Sequence, residues 1–252
     1  MYLPILILAV YSFTDANMVG GSIGGISFEN YINLFANESL RDMIFGTLLL
    51  AVGSALLATL FGTLGAIGAH YSRKLPKNLL NTANQIPVVN ADVVTGFSAC
   101  VLLIILLGIN KDSYIPLVIG HTVLSAPFVY LSIAPKLKQM DNSLYEAALD
   151  LGATPAQALF KVVLPQLIPG IFSGFMLAVT LSLDDYFITT YTKPSTFDTI
   201  STYVVNATKG SQTEIKTALW ALSTLIFLIV VIFVVCMNVF AGKNKEKKNE
   251  KY

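Results

Sequence analysis

Five stretches of this chain, residues 43–69, 82–108, 115–134, 167–188 and 217–241, are long, apolar and free of lysine and arginine. A helix rising about 1.5 Å per residue needs roughly 20 such residues to cross a hydrocarbon core about 30 Å thick, so each stretch predicts a membrane span. With 54% hydrophobic and 12% charged residues, the sequence is too apolar for a soluble domain of 252 residues. Residues 2–13 are apolar too, but about 12 residues cover only roughly 18 Å. No basic segment precedes this run and no small-residue cleavage site lies before Thr14, which argues against a signal peptide. The expectation is an all-α polytopic membrane protein of six transmembrane helices, the first short or truncated. It divides into a partial first span (1–13), an external loop (14–42) with a short interfacial helix at 28–35, a five-helix core (43–241) containing a cytoplasmic loop (135–166), and a basic cytoplasmic tail (242–252). Gly46, Gly53, Gly62, Gly65 and Gly68 make the second span a helix that neighbours can approach closely.

Charge orients the spans. If loop 135–166 is cytoplasmic, the inner segments hold Arg73, Lys74, Lys77, Lys136, Lys138, Lys161, Lys243, Lys245, Lys247, Lys248 and Lys251, eleven of the 16 lysines and arginines. Arg41, Lys111, Lys193, Lys209 and Lys216 remain outside. The positive-inside rule favours that orientation and a cytoplasmic C-terminus. A net charge of +1 gives no reason to expect nucleic acid. Cys100 and Cys236 fall in apolar runs and read as unpaired core residues.

The inner loop is patterned for structure. Ser143 followed three residues later by Glu146 predicts a capping box. The helix it opens would carry Leu144, Ala147, Ala148 and Leu151 on one face, with Tyr145, Glu146 and Asp150 turned away. Gly152 predicts a left-handed C-terminal stop. Thr154, Pro155 and Gln157 repeat the start signal for a second helix through Ala158, Leu159, Phe160, Val162 and Val163, which Leu164-Pro165 would end. Such a hairpin fits either a docking element or an ordinary surface connection.

Carboxylates at membrane depth cost about 2.5–3.5 kcal/mol each on insertion scales and are functional candidates by default. Asp92 is expected about eight residues, roughly 12 Å, into the third span, and Asp184 and Asp185 about 17 residues, roughly 25 Å, into the fifth. They read either as steps for a cationic substrate or, respectively, as the cap of a helix broken after Pro87 and as solvated charges of an external vestibule. Tyr186, Phe187, Tyr191, Tyr203 and Trp220 are expected to gather at the outer ends of spans five and six, as cation–π partners or as an interfacial aromatic belt. His121 reads as a buried hydrogen-bonding residue. No Gly-x-x-x-x-Gly-Lys-Ser/Thr loop, His-Glu-x-x-His, Cys-x-x-Cys or Gly-x-Ser-x-Gly is present, so nucleotide, zinc and serine-hydrolase chemistry have no anchor.

Glu146-Ala147-Ala148, Gly152 and Leu164-Pro165 together resemble the cytoplasmic coupling loop of permease subunits of bacterial ATP-binding-cassette importers. Leu181-Ser182-Leu183-Asp184-Asp185 and the segment Pro87-Val-Val-Asn-Ala-Asp92-Val-Val narrow the resemblance to the spermidine/putrescine importer permeases, whose usual proline before the aspartate is Ala91 here. The resemblance implies a type I importer permease fold in the bacterial inner membrane, and a chain that is not itself an enzyme. It implies a sister permease, two ATPase subunits that bind ATP and Mg, and an extracytoplasmic polyamine-binding protein. No cofactor is expected in this chain. Glu146, Ala147, Ala148, Asp150, Gly152, Leu164 and Pro165 would couple to the ATPase; Asp92, Asp184, Asp185, Tyr186, Tyr203 and Trp220 would line the substrate pathway. A permease for ferric iron or phosphonate is the neighbouring alternative. An intramembrane aspartyl protease using Asp92 and Asp184 lacks the Gly-x-Gly-Asp context.

Overall fold

The computed structural model describes residues 3–15, 25–141, 143–209, 220–225, 227–228 and 231. Most of the sixth apolar run, Cys236 and the lysine tail lie outside these residues. The described chain is helical apart from loops and one isolated antiparallel bridge, Thr14 with Ile26. It forms two compact units, residues 1–42 with 204–252 and residues 43–203.

In the first unit α1 (Leu3–Ser12) is followed by a loop folded back on its end, then α2 (Glu29–Ala36). The buried Asn30 side chain donates to the carbonyls of Ser12 and Thr14 (3.2 and 3.1 Å), and Tyr31 shares a hydrogen bond with Ser12 (2.9 Å). The interfacial helix expected at 28–35 is therefore present, tied to the preceding helix by polar contacts. The expected loop ends early, because the next helix starts at Glu38.

The second unit is built from α3 (Glu38–Tyr71), α4 (Lys74–Val89), α5 (Asp92–Cys100) with a π-helical continuation (Val101–Leu106), α6 (Ile115–Gln139), α7 (Ser143–Asp150), α8 (Pro155–Ala158), α9 (Leu164–Asp184), α10 (Phe187–Thr192) and the start of α11 (Ile200–Lys209). Among the described residues, α3, α6 and the run Pro155–Asp184 are long and apolar enough to cross a membrane. Small residues face inward on α3: Ala51, Ala55, Ala58, Ala66 and Ala69 are buried while Phe45, Leu49, Leu56, Leu60 and Leu64 are exposed. Large apolar side chains outside and small ones at the helix contacts suit hydrocarbon as the solvent. Helix α6 packs most extensively on α9, and Val129, Tyr130, Ile133 and Leu137 of α6 join Val163, Leu167 and Ala178 in the core.

The close approach of α3 and α6 depends on Gly62. A Cβ there would lie 2.8 Å from Val129 Cβ and 2.9 Å from the Ala126 carbonyl oxygen. Gly62→Ala is expected to destabilise the protein by roughly 1–3 kcal/mol through overpacking, read as a lower thermal unfolding midpoint. Gly53→Ala, with nothing within 4 Å, is the matched control and should be neutral or slightly stabilising.

Two expectations are corrected. The third apolar run is not one straight span: α4 and the helix beginning at Asp92 meet at 108° across Asn90 and Ala91. Pro87 denies the helix a donor, and Asn90 and Ala91 adopt extended backbone that ends the turn. Pro165 does not stop the helix after the hairpin. Residues 159–163 widen into a π turn, with the Leu164 N–H donating to the Leu159 carbonyl, and this gives the proline ring room against the preceding carbonyls. The helical run continues through Pro165 to Asp184.

Candidate substrate pathway and coupling hairpin

Helix α9 ends at Asp184, and Asp185 turns to extended backbone before α10 starts. The span expected to reach 188 is thus broken, and the two aspartates separate. Asp184 is exposed, with its carbonyl accepting a hydrogen bond from Ser201 (3.2 Å). Asp185 is buried and caps α10: its carboxylate accepts from the backbone N–H groups of Ile188 (3.3 Å) and Thr189 (2.8 Å) and from the Thr189 hydroxyl (2.9 Å). Description as a solvated charge fits Asp184 and not Asp185.

His121, fully buried on α6, completes this knot. Its Nδ1 lies 2.7 Å from Ser182 Oγ, its Nε2 3.0 Å from Thr189 Oγ1 and 3.6 Å from Asp185 Oδ2. One arrangement satisfies every group: the Ser182 hydroxyl donates to Nδ1, the Nε2 proton goes to Thr189, and the Thr189 hydroxyl donates to Asp185. Ser54 of α3 lies 3.2 Å from Ser182 Oγ. Four helices are thereby joined by one polar network in an apolar bundle, as expected for His121; Ser54, Ser182 and Thr189 gave no motif that announced it.

Glycines seat α10 against its neighbours. A Cβ on Gly96 of α5 would come within 3.1 Å of the Ile188 backbone nitrogen, and one on Gly120 of α6 within 2.7 Å of the Ile188 side chain. Asp92, the first residue of α5, is exposed one turn before Gly96. The expected depth of about eight residues along a continuous span does not apply, since that span bends just before it.

The aromatic residues make edge-on ring pairs. Tyr186 meets Phe187 (5.3 Å between centroids), Tyr191 meets Phe97 (5.9 Å), and Trp220, in the other unit, meets Tyr11 edge-on (6.0 Å). Tyr203 is half-buried, and burial followed by the Asp198 carboxylate holds its hydroxyl above the usual tyrosine range. Asp198 itself accepts hydrogen bonds from Lys193 and Thr202; two sequence-distant polar loops meet nearby, where Ser195 Oγ donates to Asp112 (3.0 Å).

At the other end of α9 stands the hairpin. Helix α7 starts at Ser143, but the acceptor at its start is Asp141, whose carboxylate takes the Ser143 N–H at 2.9 Å. This bond holds the Asp141 carboxyl below its usual range, so its contribution is present above about pH 4 and fades as pH falls through that lowered value. The expected Ser143 cap thus sits two residues too late. The Gly152 stop is as expected: φ is +86°, the Gly152 N–H donates to Leu149 and the Ala153 N–H to Ala148, the two bonds of a Schellman motif. The Thr154–Gln157 capping box is complete.

One residue of the expected grouping departs: Tyr145 does not share the exposure of Glu146 and Asp150. Tyr145 turns inward, its ring 5.2 Å from Tyr71 and packed on the core. The apolar face is presented outward, with Leu144 46%, Leu151 89% and, on the second leg, Phe160 64% exposed. Glu146, Ala147, Asp150 and Gly152 are exposed beside them, Ala148 is half-buried, and Leu164 and Pro165 begin α9. These apolar side chains are left uncovered by the chain's own core.

Apolar helices of spanning length, with large side chains outside and small ones at their contacts, are the architecture of a membrane protein. The profile of the family of binding-protein-dependent transport system inner membrane components matches residues 63–244, and the chain belongs to that family. It is 30% identical over 250 residues to the spermidine/putrescine transport system permease protein PotC of Escherichia coli K12, covering 99% of this chain and 92% of the relative. It is 32% identical over 232 residues to the putrescine transport system permease protein PotI of the same strain, covering 90% and 81%. Its fold is shared with a bacterial ABC transporter involved in import of the acidic polysaccharide alginate, with TM-score 0.70 at 17% identity, covering 94% of this chain and 90% of that one.

Proposed function

We propose that this chain is the permease subunit of an ATP-driven polyamine importer. The observation that carries the reading is near-full-length similarity, at 30% identity or more, to permeases of spermidine/putrescine and putrescine transport systems. A sister permease completes the pathway, an extracytoplasmic binding protein delivers the polyamine, and two ATPase subunits binding ATP and Mg engage the hairpin. Ferric iron and phosphonate are the competing substrates, and polyamine-stimulated ATP hydrolysis by the reconstituted complex, challenged with each solute, decides among them.

Asp184 receives the ammonium group at the outer end of α9, Asp92 contributes beyond the bend, and the rings of Tyr186 and Tyr203 offer faces to the methylene chain and its cations. Asp184→Asn should reduce polyamine uptake on the order of tenfold, equivalent to about 1.4 kcal/mol of lost binding, with the complex still assembled. Unchanged uptake would remove Asp184 from the pathway.

The hairpin faces the cytoplasm, and so does the C-terminus. Tyr71 at the end of α3 stacks on Tyr145 of the hairpin, so Arg73, Lys74 and Lys77 gather at the same end as Lys136 and Lys138, as the positive-inside rule requires. A cysteine replacing the exposed Asp150 should react with an impermeant maleimide in inside-out vesicles and stay unlabelled in right-side-out ones.

A further inference from the structure

At the hairpin end of the second unit, α3, α4 and α6 border a small open-sided cleft. Its floor is apolar, with Ala66, Ala69 and Leu137, and its edge carries Lys77 from α4, Lys138 from α6 and His70 from α3. No carboxylate lines it. Asn81 also faces the cleft, and its carboxamide oxygen is already taken by the Tyr130 hydroxyl at 2.6 Å. What Asn81 has left to offer is N–H donors. Two ammonium groups and an amide donor over an apolar floor suit a ligand that is anionic, acceptor-rich and attached to something greasy.

We propose that this cleft seats the phosphate headgroup of an anionic phospholipid. The cleft is small and open-sided, far short of what encloses a whole drug-sized ligand, so the phosphate sits at its mouth between the lysines and the acyl chains run outside. Helix α4 provides the surface for them. It has no buried residue, its Leu75 is 79% exposed, and Leu79 and Ile86 extend the same apolar exposure toward the bend. With Arg73, Lys74 and Lys77 at one end, α4 has the composition of a helix lying at an anionic membrane surface. Basic clefts between helix ends on the cytoplasmic side are where such headgroups bind. The inference rests on the cytoplasmic placement proposed above. That placement is read separately by labelling at position 150, so a failure of one is distinguishable from a failure of the other.

The test titrates the delipidated, detergent-purified transporter complex with short-chain phosphatidylglycerol, phosphatidylcholine or glycerol phosphate, following bound lipid by native mass spectrometry. Saturable binding of phosphatidylglycerol in preference to phosphatidylcholine is expected. The paired variant Lys77→Gln with Lys138→Gln should weaken it at least tenfold, and Lys77→Arg with Lys138→Arg should restore it. Removing the same charge outside the cleft, by Lys74→Gln with Lys136→Gln, should leave it within twofold. Equal binding of the two lipids, unchanged binding in the cleft variant, or an equal loss in the control variant would overturn the proposal. So would competition by glycerol phosphate at the lipid's own concentration, which would make free phosphate the ligand.

Discussion

Asp185→Ala should destabilise the protein by about 3–5 kcal/mol, whereas Asp184→Asn, one residue away, should change stability by no more than about 0.5 kcal/mol. The difference follows from burial. Removing the Asp185 carboxylate orphans the first-turn N–H groups of Ile188 and Thr189 and takes from the Thr189 hydroxyl, the partner of His121, its carboxylate acceptor. Each buried donor stranded in this way costs about 1–3 kcal/mol, in surroundings where no water is at hand to substitute. Asp185→Asn retains one acceptor oxygen and should lose less. Thermal unfolding of the purified complex measures the three variants side by side. An Asp185→Ala protein as stable as its parent would show that the knot around His121 does not hold α9, α10, α6 and α3 together.

Leu151→Asp is expected to bring polyamine-stimulated ATP hydrolysis down to the unstimulated rate while leaving the chain itself as stable as before. Leu151 is 89% exposed and touches little of its own chain, so a surface substitution there alters folding by about 0.5 kcal/mol at most. A carboxylate thrust into an apolar contact, by contrast, must be desolvated with no partner of its own, at a cost of several kcal/mol. Stimulation measured with the partner ATPase separates the two effects. Full stimulation by the variant would show that Leu151 lies outside the contact. Gly152→Ala attacks the same hairpin from within, through left-handed backbone that costs an L-residue roughly 1–2 kcal/mol.

Long apolar runs made the helical class legible, because chain length and bilayer thickness leave little choice for residues 43–69 and 115–134. The hairpin was legible for a different reason: Thr154, Pro155, Gln157 and Gly152 act through local backbone geometry that a few neighbouring residues determine. What pattern could not supply was the environment of each face. Periodicity grouped Tyr145 with Glu146 and Asp150, yet Tyr71, 74 positions earlier, offers it a stacking partner. Asp184 and Asp185 are identical in composition and adjacent, and only the backbone turn between α9 and α10 sends one to solvent and the other to His121. The bend before Asp92 and the passage through Pro165 likewise turn on whether the backbone breaks or widens, which proline alone does not decide.

Because the second leg of the hairpin and the span that follows form one uninterrupted helical run, Pro155–Asp184, about 45 Å of connecting rod at ~1.5 Å per residue links the hairpin to the exposed carboxylate of Asp184. The widened turn at 159–163 is the compliant joint of that rod. On the proposed coupling, a stroke applied to the hairpin would reach Asp184 as a tilt or a twist according to how that single turn gives.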